Sequence, residues 1–124
     1  MGKSVILVVE DETDFRELIK MRLESNGFSV VTAVDGYQGI KVAHAERPDL
    51  ILLDLMLPAG DGLSVLEKLK LSSDTSDIPV IVLTGMINEE YKEKVLEKGV
   101  EAYLQKPCDS EVLLNTIKGI LKEQ

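Results

Sequence analysis

Acidic side chains stand at the ends of two apolar segments of the chain. One apolar run stops at Glu10, Asp11 and Glu12, and a second, residues 50–53, stops at Asp54. Carboxylates that lie close together repel each other, so such a cluster either raises a pKa or binds a cation. There is no His or Cys beside these acids, and all-oxygen ligands suit Mg²⁺, which is commonly held by one or two carboxylates, waters and a phosphate.

Two more reactive groups follow later apolar runs. Thr84 ends one run, and Lys106 follows the last run, next to Pro107. A cation, an ammonium and a hydroxyl around one carboxylate are the components of a phosphoryl-transfer site. A carboxylate can also be the nucleophile itself and form an aspartyl phosphate. Asp54 is the candidate nucleophile because it would lie at the centre of the other groups.

Each of these residues also has a simpler interpretation. Acids at strand ends can be loop residues or caps of the next helix, and Glu12 fits that description. Lys106 considered alone would be a surface lysine. Cys108 is the only cysteine, so it cannot form an internal disulfide, and we expect a structural role for it. His44, the only histidine, is expected on the solvated face of a helix.

The elements that position these residues are predicted from the apolar pattern. Five short runs are rich in Val, Ile and Leu on both faces, which is typical of a parallel sheet covered on both sides. The predicted strands cover residues 5–9, 28–33, 50–53, 80–84 and 100–104. Segments with helical spacing separate them, and right-handed crossovers then give a doubly wound α/β domain. We predict a flavodoxin-like (βα)5 fold over residues 1–124, with strand order 2-1-3-4-5 and helices on both faces.

This strand order decides which side chains meet. In open α/β sheets, ligands bind at the carboxyl ends of the strands, at the point where the strand order reverses. The predicted order puts strands 1 and 3 side by side at that point. Glu10, Asp11 and Asp54 would then converge, with Thr84 on the next strand and Lys106 beyond it.

Composition limits the classes of partner and the compartment. A length of 124 residues with 44% hydrophobic residues fits one domain with one core. The formal net charge of -8 argues against direct binding of nucleic acid or of anionic membrane. The apolar runs are too short for membrane insertion. A single cysteine favours a reducing, cytoplasmic setting.

Four segments of the chain resemble the receiver domain of bacterial two-component response regulators. The matching segments are residues 8–12, residues 53–58 leading to Asp61-Gly62, residues 78–85 and residues 103–107. In this order and at these spacings they extend over essentially the whole chain. The resemblance implies a chemotaxis-type, single-domain regulator that acts as a signalling switch and is not an enzyme.

The resemblance also assigns the phosphoacceptor and the metal ligands. Asp54 would accept a phosphoryl group from a phosphohistidine on a sensor histidine kinase or a histidine phosphotransfer protein. Mg²⁺, with Mn²⁺ as an alternative ion, would be held by Glu10, Asp11, Asp54 and the backbone carbonyl of Met56. In this scheme Asp11 binds the ion directly, and Glu10 acts largely through water.

Other residues would read the phosphorylation state. The resemblance implies that Lys106 pairs with the acyl phosphate, across a cis bond to Pro107. Thr84 would move to hydrogen-bond the phosphoryl group, and Tyr103 would turn inward as a second switch residue. A downstream protein target would bind the fourth helix, fifth strand and fifth helix. The protein would be a monomer that can dimerise on phosphorylation.

Two methionines distinguish this chain from many family members. Met56 and Met86 each stand two positions past a functional residue, where polar groups that orient a hydrolytic water are common in the family. Thioethers cannot act as a base, so we expect a long-lived phosphate on Asp54.

Three alternatives remain open from the sequence. The chain could be a receiver cut from a longer response regulator or from a hybrid histidine kinase. A phosphatase of the haloacid dehalogenase class would need an acid at the position of Met56. A flavodoxin-like cofactor module would need phosphate-binding glycines where Glu10 and Asp11 stand.

Overall fold

Five parallel strands form one sheet, and five helices connect and cover them. The computed structural model describes residues 2–57, 61–85 and 88–122. The elements are β1 (Val5–Val9), α1 (Thr13–Ser25), β2 (Ser29–Ala33), α2 (Gly36–Glu46), β3 (Leu50–Leu53), α3 (Gly62–Leu71), β4 (Val80–Thr84), α4 (Glu89–Glu97), β5 (Ala102–Gln105) and α5 (Ser110–Lys122). The strand order is β2-β1-β3-β4-β5, and every neighbouring pair is parallel. The predicted flavodoxin-like fold and strand order are confirmed.

Side chains of the sheet alternate between two separate core layers. One layer joins the sheet to α2, α3 and α4, and its members include Leu7, Val9, Leu53, Val82, Ala43, Leu66 and Val95. The other joins the sheet to α1 and α5, and its members include Ile6, Val8, Leu52, Leu83, Ile19, Leu23, Leu113 and Ile117. Both faces of the central strands are therefore buried, which explains why their sequences are continuously apolar.

The ends of two predicted strands were wrong by one or two residues. β2 begins at Ser29, because the backbone N–H of Phe28 donates to Leu23 O at 3.1 Å and so closes the turn after α1. β5 spans Ala102–Gln105, whereas the prediction covered residues 100–104. β5 is an edge strand and only half-buried, so its apolar pattern marks its ends poorly.

Three helices end close to residues in a left-handed backbone conformation. Gly27, after α1, and Gly99, after α4, have positive φ angles of 91° and 84°, the conformation that a glycine helix stop supplies without strain. α2 ends at Glu46, and the next residue, Arg47, has a φ of 44° and precedes Pro48.

The helices are short compared with a bilayer. The longest described helices, α1 and α5, have 13 residues each, whereas a membrane span needs about 20. Over residues 2–57, 61–85 and 88–122, no helix could cross a membrane.

Candidate functional site

The hydrogen-bond register of the parallel strands brings the predicted site residues together at the carboxyl ends of the strands. The backbone N–H of Asp54 donates to Val9 O at 3.2 Å, which sets Asp54 beside Glu10. The backbone N–H of Lys106 donates to Thr84 O at 2.8 Å. Four side chains thus lie next to one another at the carboxyl ends of the strands. They are the acids Glu10 and Asp54, the hydroxyl of Thr84 and the ammonium of Lys106.

Lys106 reaches across the sheet edge to two buried carboxylates. Its Nζ lies 2.6 Å from Glu10 Oε1 and 3.0 Å from Asp54 Oδ2. Glu10 is 3% exposed and Asp54 is 6% exposed. Buried carboxylates are stable only when they are paired and hydrogen-bonded, so the ammonium holds both acids in the site. The Lys106–Pro107 peptide bond is cis, as the resemblance implied.

The three predicted metal ligands also come together. Carboxylate oxygens of Glu10, Asp11 and Asp54 all lie within 4.8 Å of one another, and Asp11 is the exposed member. The remaining oxygens of the buried acids are held by backbone: Glu12 N–H donates to Glu10 Oε2 at 3.1 Å, and Met56 N–H donates to Asp54 Oδ1 at 3.1 Å. Such an all-oxygen set, open to solvent on the side of Asp11, fits Mg²⁺.

Burial and the contact between Glu10 and Lys106 shift the pKa values of both groups. Burial raises the pKa of Glu10, and the hydrogen bonds from Lys106 and from the Glu12 backbone offset this only in part. For Lys106, burial alone would lower the pKa, but the hydrogen bonds and charges of Glu10 and Asp54 outweigh it, so its pKa is raised. Lys106 is therefore protonated, whereas burial disfavours the ionised form of Glu10.

Two residues of this site were missed by the reasoning from sequence. Arg16, in the first turn of α1, donates through one guanidinium nitrogen to Glu10 O at 2.9 Å and to Asp11 O at 3.3 Å. It therefore fixes the loop that carries the acids. One signal in the sequence could have indicated this contact. It is the presence of an arginine about one helical turn after the acids that follow β1.

Gly62 is the second missed residue. A Cβ atom at Gly62 would lie 2.4 Å from Leu55 Cα and 3.0 Å from Asp54 O. Only glycine permits this close approach of α3 to the loop that follows β3. The resemblance in the sequence included Asp61-Gly62, but the close packing that requires glycine at position 62 is a property of the tertiary structure.

The two predicted switch residues lie on neighbouring strands. Thr84 is 0% exposed at the end of β4. Tyr103, on β5, is half-buried and pairs in the ladder with Val82 of β4. The Nζ of Lys92, on α4, lies 5.2 Å from the centre of the Tyr103 ring. Burial, and then the negative charges of Glu89 and Asp54, raise the pKa of the Tyr103 phenol.

Of the two methionines expected to shield Asp54, Met56 lies within the described residues. Met56 is 57% exposed, so more than half of it remains in contact with solvent. Met86 lies outside the described residues. A long-lived phosphate stays a prediction.

His44 lies on α2, and its side chain is 38% exposed. Its Nδ1 lies 2.8 Å from Asp74 Oδ2, and Ser72 Oγ donates to Asp74 Oδ1 at 2.7 Å. The side chain is therefore both partly exposed and paired, and the sequence did not predict the pairing. The partner is 30 residues away in sequence, which the helix pattern could not reveal. This cluster lies at the amino ends of the strands, whereas Asp54 lies at the carboxyl ends.

The fold and site together define an α/β signalling module of the receiver type. A flavodoxin-like sheet carries an acid pair after β1, a buried aspartate after β3 and a paired lysine after β5. The sequence profile of the response regulator receiver domain matches residues 6–118, and the chain belongs to that family. The resemblance seen in the sequence is confirmed.

Relatives and solved structures agree with this assignment. The phosphate regulon transcriptional regulatory protein PhoB of Escherichia coli K12 is 43% identical over 117 residues, which cover 94% of this chain and 51% of PhoB. The chain thus spans about half the length of the curated relatives it matches. A CheY-like receiver domain from Methanospirillum hungatei superposes with a TM-score of 0.93 at 31% identity, covering 98% of this chain and 96% of that one.

A third comparison concerns the metal. The receiver domain of the sensor histidine kinase PA1611 of Pseudomonas aeruginosa superposes with a TM-score of 0.89 at 30% identity, covering 98% of this chain and 99% of its own. That structure holds a magnesium ion coordinated in its active site cleft. Receiver domains bind Mg²⁺ at a cluster of acidic residues, and Glu10, Asp11 and Asp54 form such a group here.

Proposed function

We propose that this chain is a phospho-accepting receiver and that Asp54 takes the phosphoryl group. The donor is a phosphohistidine on a sensor histidine kinase or on a histidine phosphotransfer protein. The observation that carries the proposal is the position of Asp54: it is buried, its Oδ2 lies 3.0 Å from Lys106 Nζ, and its carboxylate shares a cluster with Glu10 and Asp11.

The transfer is a single displacement at phosphorus. A carboxylate oxygen of Asp54 forms the new P–O bond while the P–N bond to the donor imidazole breaks, and the imidazole leaves with the electron pair of that bond. Mg²⁺, held by Glu10, Asp11, Asp54 and the Met56 carbonyl, would neutralise charge on the phosphoryl oxygens. Lys106 then exchanges its contact with Asp54 for a phosphoryl oxygen.

The consequence of phosphorylation is a change of surface. Thr84 donates its hydroxyl to the phosphoryl group, and Tyr103 turns inward on the neighbouring strand. The surface formed by α4, β5 and α5 then binds a downstream protein target. The protein acts as a switch that catalyses only its own phosphorylation and dephosphorylation.

We assign the whole of residues 1–124 to this one receiver domain. The formal net charge of -8 supports protein partners over direct contact with nucleic acid. The lone Cys108 supports a cytoplasmic setting. The state before phosphorylation is a monomer, and phosphorylation promotes a dimer.

A second candidate follows from the lengths of the relatives. The chain matches only 51% of PhoB, so the same receiver can control an effector attached to it in a longer response regulator or hybrid histidine kinase. In both cases the chemistry at Asp54 is the same, and the output partner differs.

Mass spectrometry of the intact protein tests the proposal. The parent is incubated with Mg²⁺ and acetyl phosphate, beside Asp54→Asn and a matched control, Asp77→Asn, which changes an exposed acid outside the cluster. We expect one phosphoryl group on the parent and on the control, and none on Asp54→Asn. A phosphoryl group on Asp54→Asn, or none on the parent even with its kinase, would refute the assignment.

A further inference from the structure

The ring of Phe15 covers the ammonium of Lys106. Phe15 lies in the first turn of α1, and Lys106 Nζ is 4.3 Å from the centre of its ring. A cation within about 6 Å of an aromatic face is attracted by the negative face of the ring. The same ammonium contacts Glu10 and Asp54, so it is held between two carboxylates and an aromatic face.

Lys106 needs such a support because of its chemistry. Lysine is a compact, strongly hydrated charge on a flexible four-carbon chain. The Lys106 side chain is 21% exposed, so water can compete for its ammonium. During phosphoryl transfer the contact with Asp54 is exchanged, whereas the contact with the ring of Phe15 does not involve the reacting carboxylate.

The position of the ring is tied to the acids as well. Phe15 lines a small cavity together with Glu10, Ile19 and Asp54. The next residue, Arg16, donates to the backbone carbonyls of Glu10 and Asp11. The first turn of α1 is therefore fixed to the acidic loop. This contact also fixes the position of the Phe15 ring relative to the carboxylates.

We propose that Phe15 is a positioning residue for phosphoryl transfer, holding the Lys106 ammonium where it meets the incoming phosphoryl oxygens. The inference rests on the proposed function of Asp54. The apolar pattern of α1 explains why an apolar residue stands at position 15, but it does not distinguish an aromatic ring from an aliphatic side chain. The contact with Lys106 makes that distinction.

The test compares phosphorylation rates of variants that differ at Phe15. Time courses with acetyl phosphate and saturating Mg²⁺ are followed by intact mass for the parent, Phe15→Leu and Phe15→Tyr. Phe28→Leu is the matched control, because Phe28 is the only other phenylalanine and lies in the same core layer. We expect Phe15→Leu to be slower by about threefold to tenfold, Phe15→Tyr to keep most of the rate, and Phe28→Leu to stay near the parent rate.

Two readouts separate positioning from a loss of structure. Pentafluorophenylalanine at position 15 keeps the ring but removes its negative face, so it should slow phosphorylation as Phe15→Leu does. Mg²⁺ affinity, measured by titration, should not weaken in Phe15→Leu, because the ring supplies no oxygen to the ion.

Several results would overturn the inference. They are a phosphorylation rate of Phe15→Leu or of the fluorinated protein equal to that of the parent, a loss of rate in Phe28→Leu equal to that in Phe15→Leu, or a weaker Mg²⁺ affinity of Phe15→Leu in the titration. A parent protein that gains no phosphoryl group at Asp54 would instead refute the proposed function, and the inference with it.

Discussion

At the scale of single residues, the site contains more negatively than positively charged side chains. Glu10, Asp11 and Asp54 share their cluster with one ammonium, that of Lys106. Burial raises the pKa of Glu10, and the charge of Asp54 adds to the rise, as expected for two carboxylates that share one ammonium. The cluster is therefore arranged to attract a cation, at a cost in stability when no cation is bound.

Removing one acid should relieve this repulsion. We expect Asp11→Asn and Asp54→Asn each to raise the free energy of unfolding without Mg²⁺ by about 1 kcal/mol. Asp54→Asn loses the contact with Lys106, but Lys106 keeps its shorter bond to Glu10. Urea denaturation in the presence of EDTA measures the difference, and Asp77→Asn, outside the cluster, should stay near the parent. Lower stability of both cluster variants would contradict the prediction.

At the scale of elements, a polar cluster at the amino ends of the strands connects α2 to the segment between α3 and β4. Asp74 accepts a hydrogen bond from Ser72 and contacts His44 on α2, and Arg47 lies 3.8 Å from the same carboxylate. The hydrogen bond from Ser72, and then that from His44, lower the pKa of Asp74 from 3.8 to about 2. The ionised form of Asp74 is therefore the one that holds these elements together.

This shift predicts a pH dependence with a definite sign. Because the pKa of Asp74 is lower in the folded protein, its contribution to stability is present above pH 3.8 and is lost as the pH falls towards about 2. Asp74→Asn should be less stable than the parent near neutral pH, and the difference should shrink over that acidic window. Urea curves at several pH values measure it.

The control for this prediction is Asp77→Asn, in the same segment but exposed. Its difference from the parent should stay small and nearly constant with pH. A difference between Asp74→Asn and the parent that does not change below pH 3.8 would show that Asp74 does not form this tether in solution.

At the scale of the whole molecule, cation binding and folding are linked. The net charge of -8 opposes compaction, and the three clustered carboxylates concentrate part of that charge at one edge. A ligand that binds only the folded state stabilises it in proportion to the logarithm of its concentration. Mg²⁺ should therefore act as a stabilising ligand of the entire domain.

Thermal unfolding measures this linkage. At about 100 times its Kd, Mg²⁺ should stabilise the parent by about 2.7 kcal/mol and raise Tm by about 10 °C. Asp11→Asn and Asp54→Asn should gain much less. NaCl at matched ionic strength controls for general screening of surface charge. An equal rise of Tm with NaCl, or an undiminished rise in both variants, would contradict specific binding at the cluster.

Much of the fold and the site could be predicted because the signals are local. Continuous apolar runs mark strands that are buried on both faces, and the first polar residue after each run marks the carboxyl edge of the sheet. Glu10 and Asp54 occupy such positions, Thr84 is the last residue of β4, and Lys106 directly follows β5. With strand order 2-1-3-4-5, their meeting at one edge follows from topology alone.

Contacts between distant side chains were decided only by the tertiary structure. Lys106 lies 96 residues from Glu10 and 52 from Asp54, and no pattern along the chain states that its bond to Glu10 is the shorter one. The ring of Phe15 over Lys106, the close approach at Gly62 and the pairing of His44 depend on how helices pack against the sheet and on which rotamers that packing permits. Sequence periodicity determines which face of an element is buried, whereas the atoms that meet there are determined by three-dimensional packing.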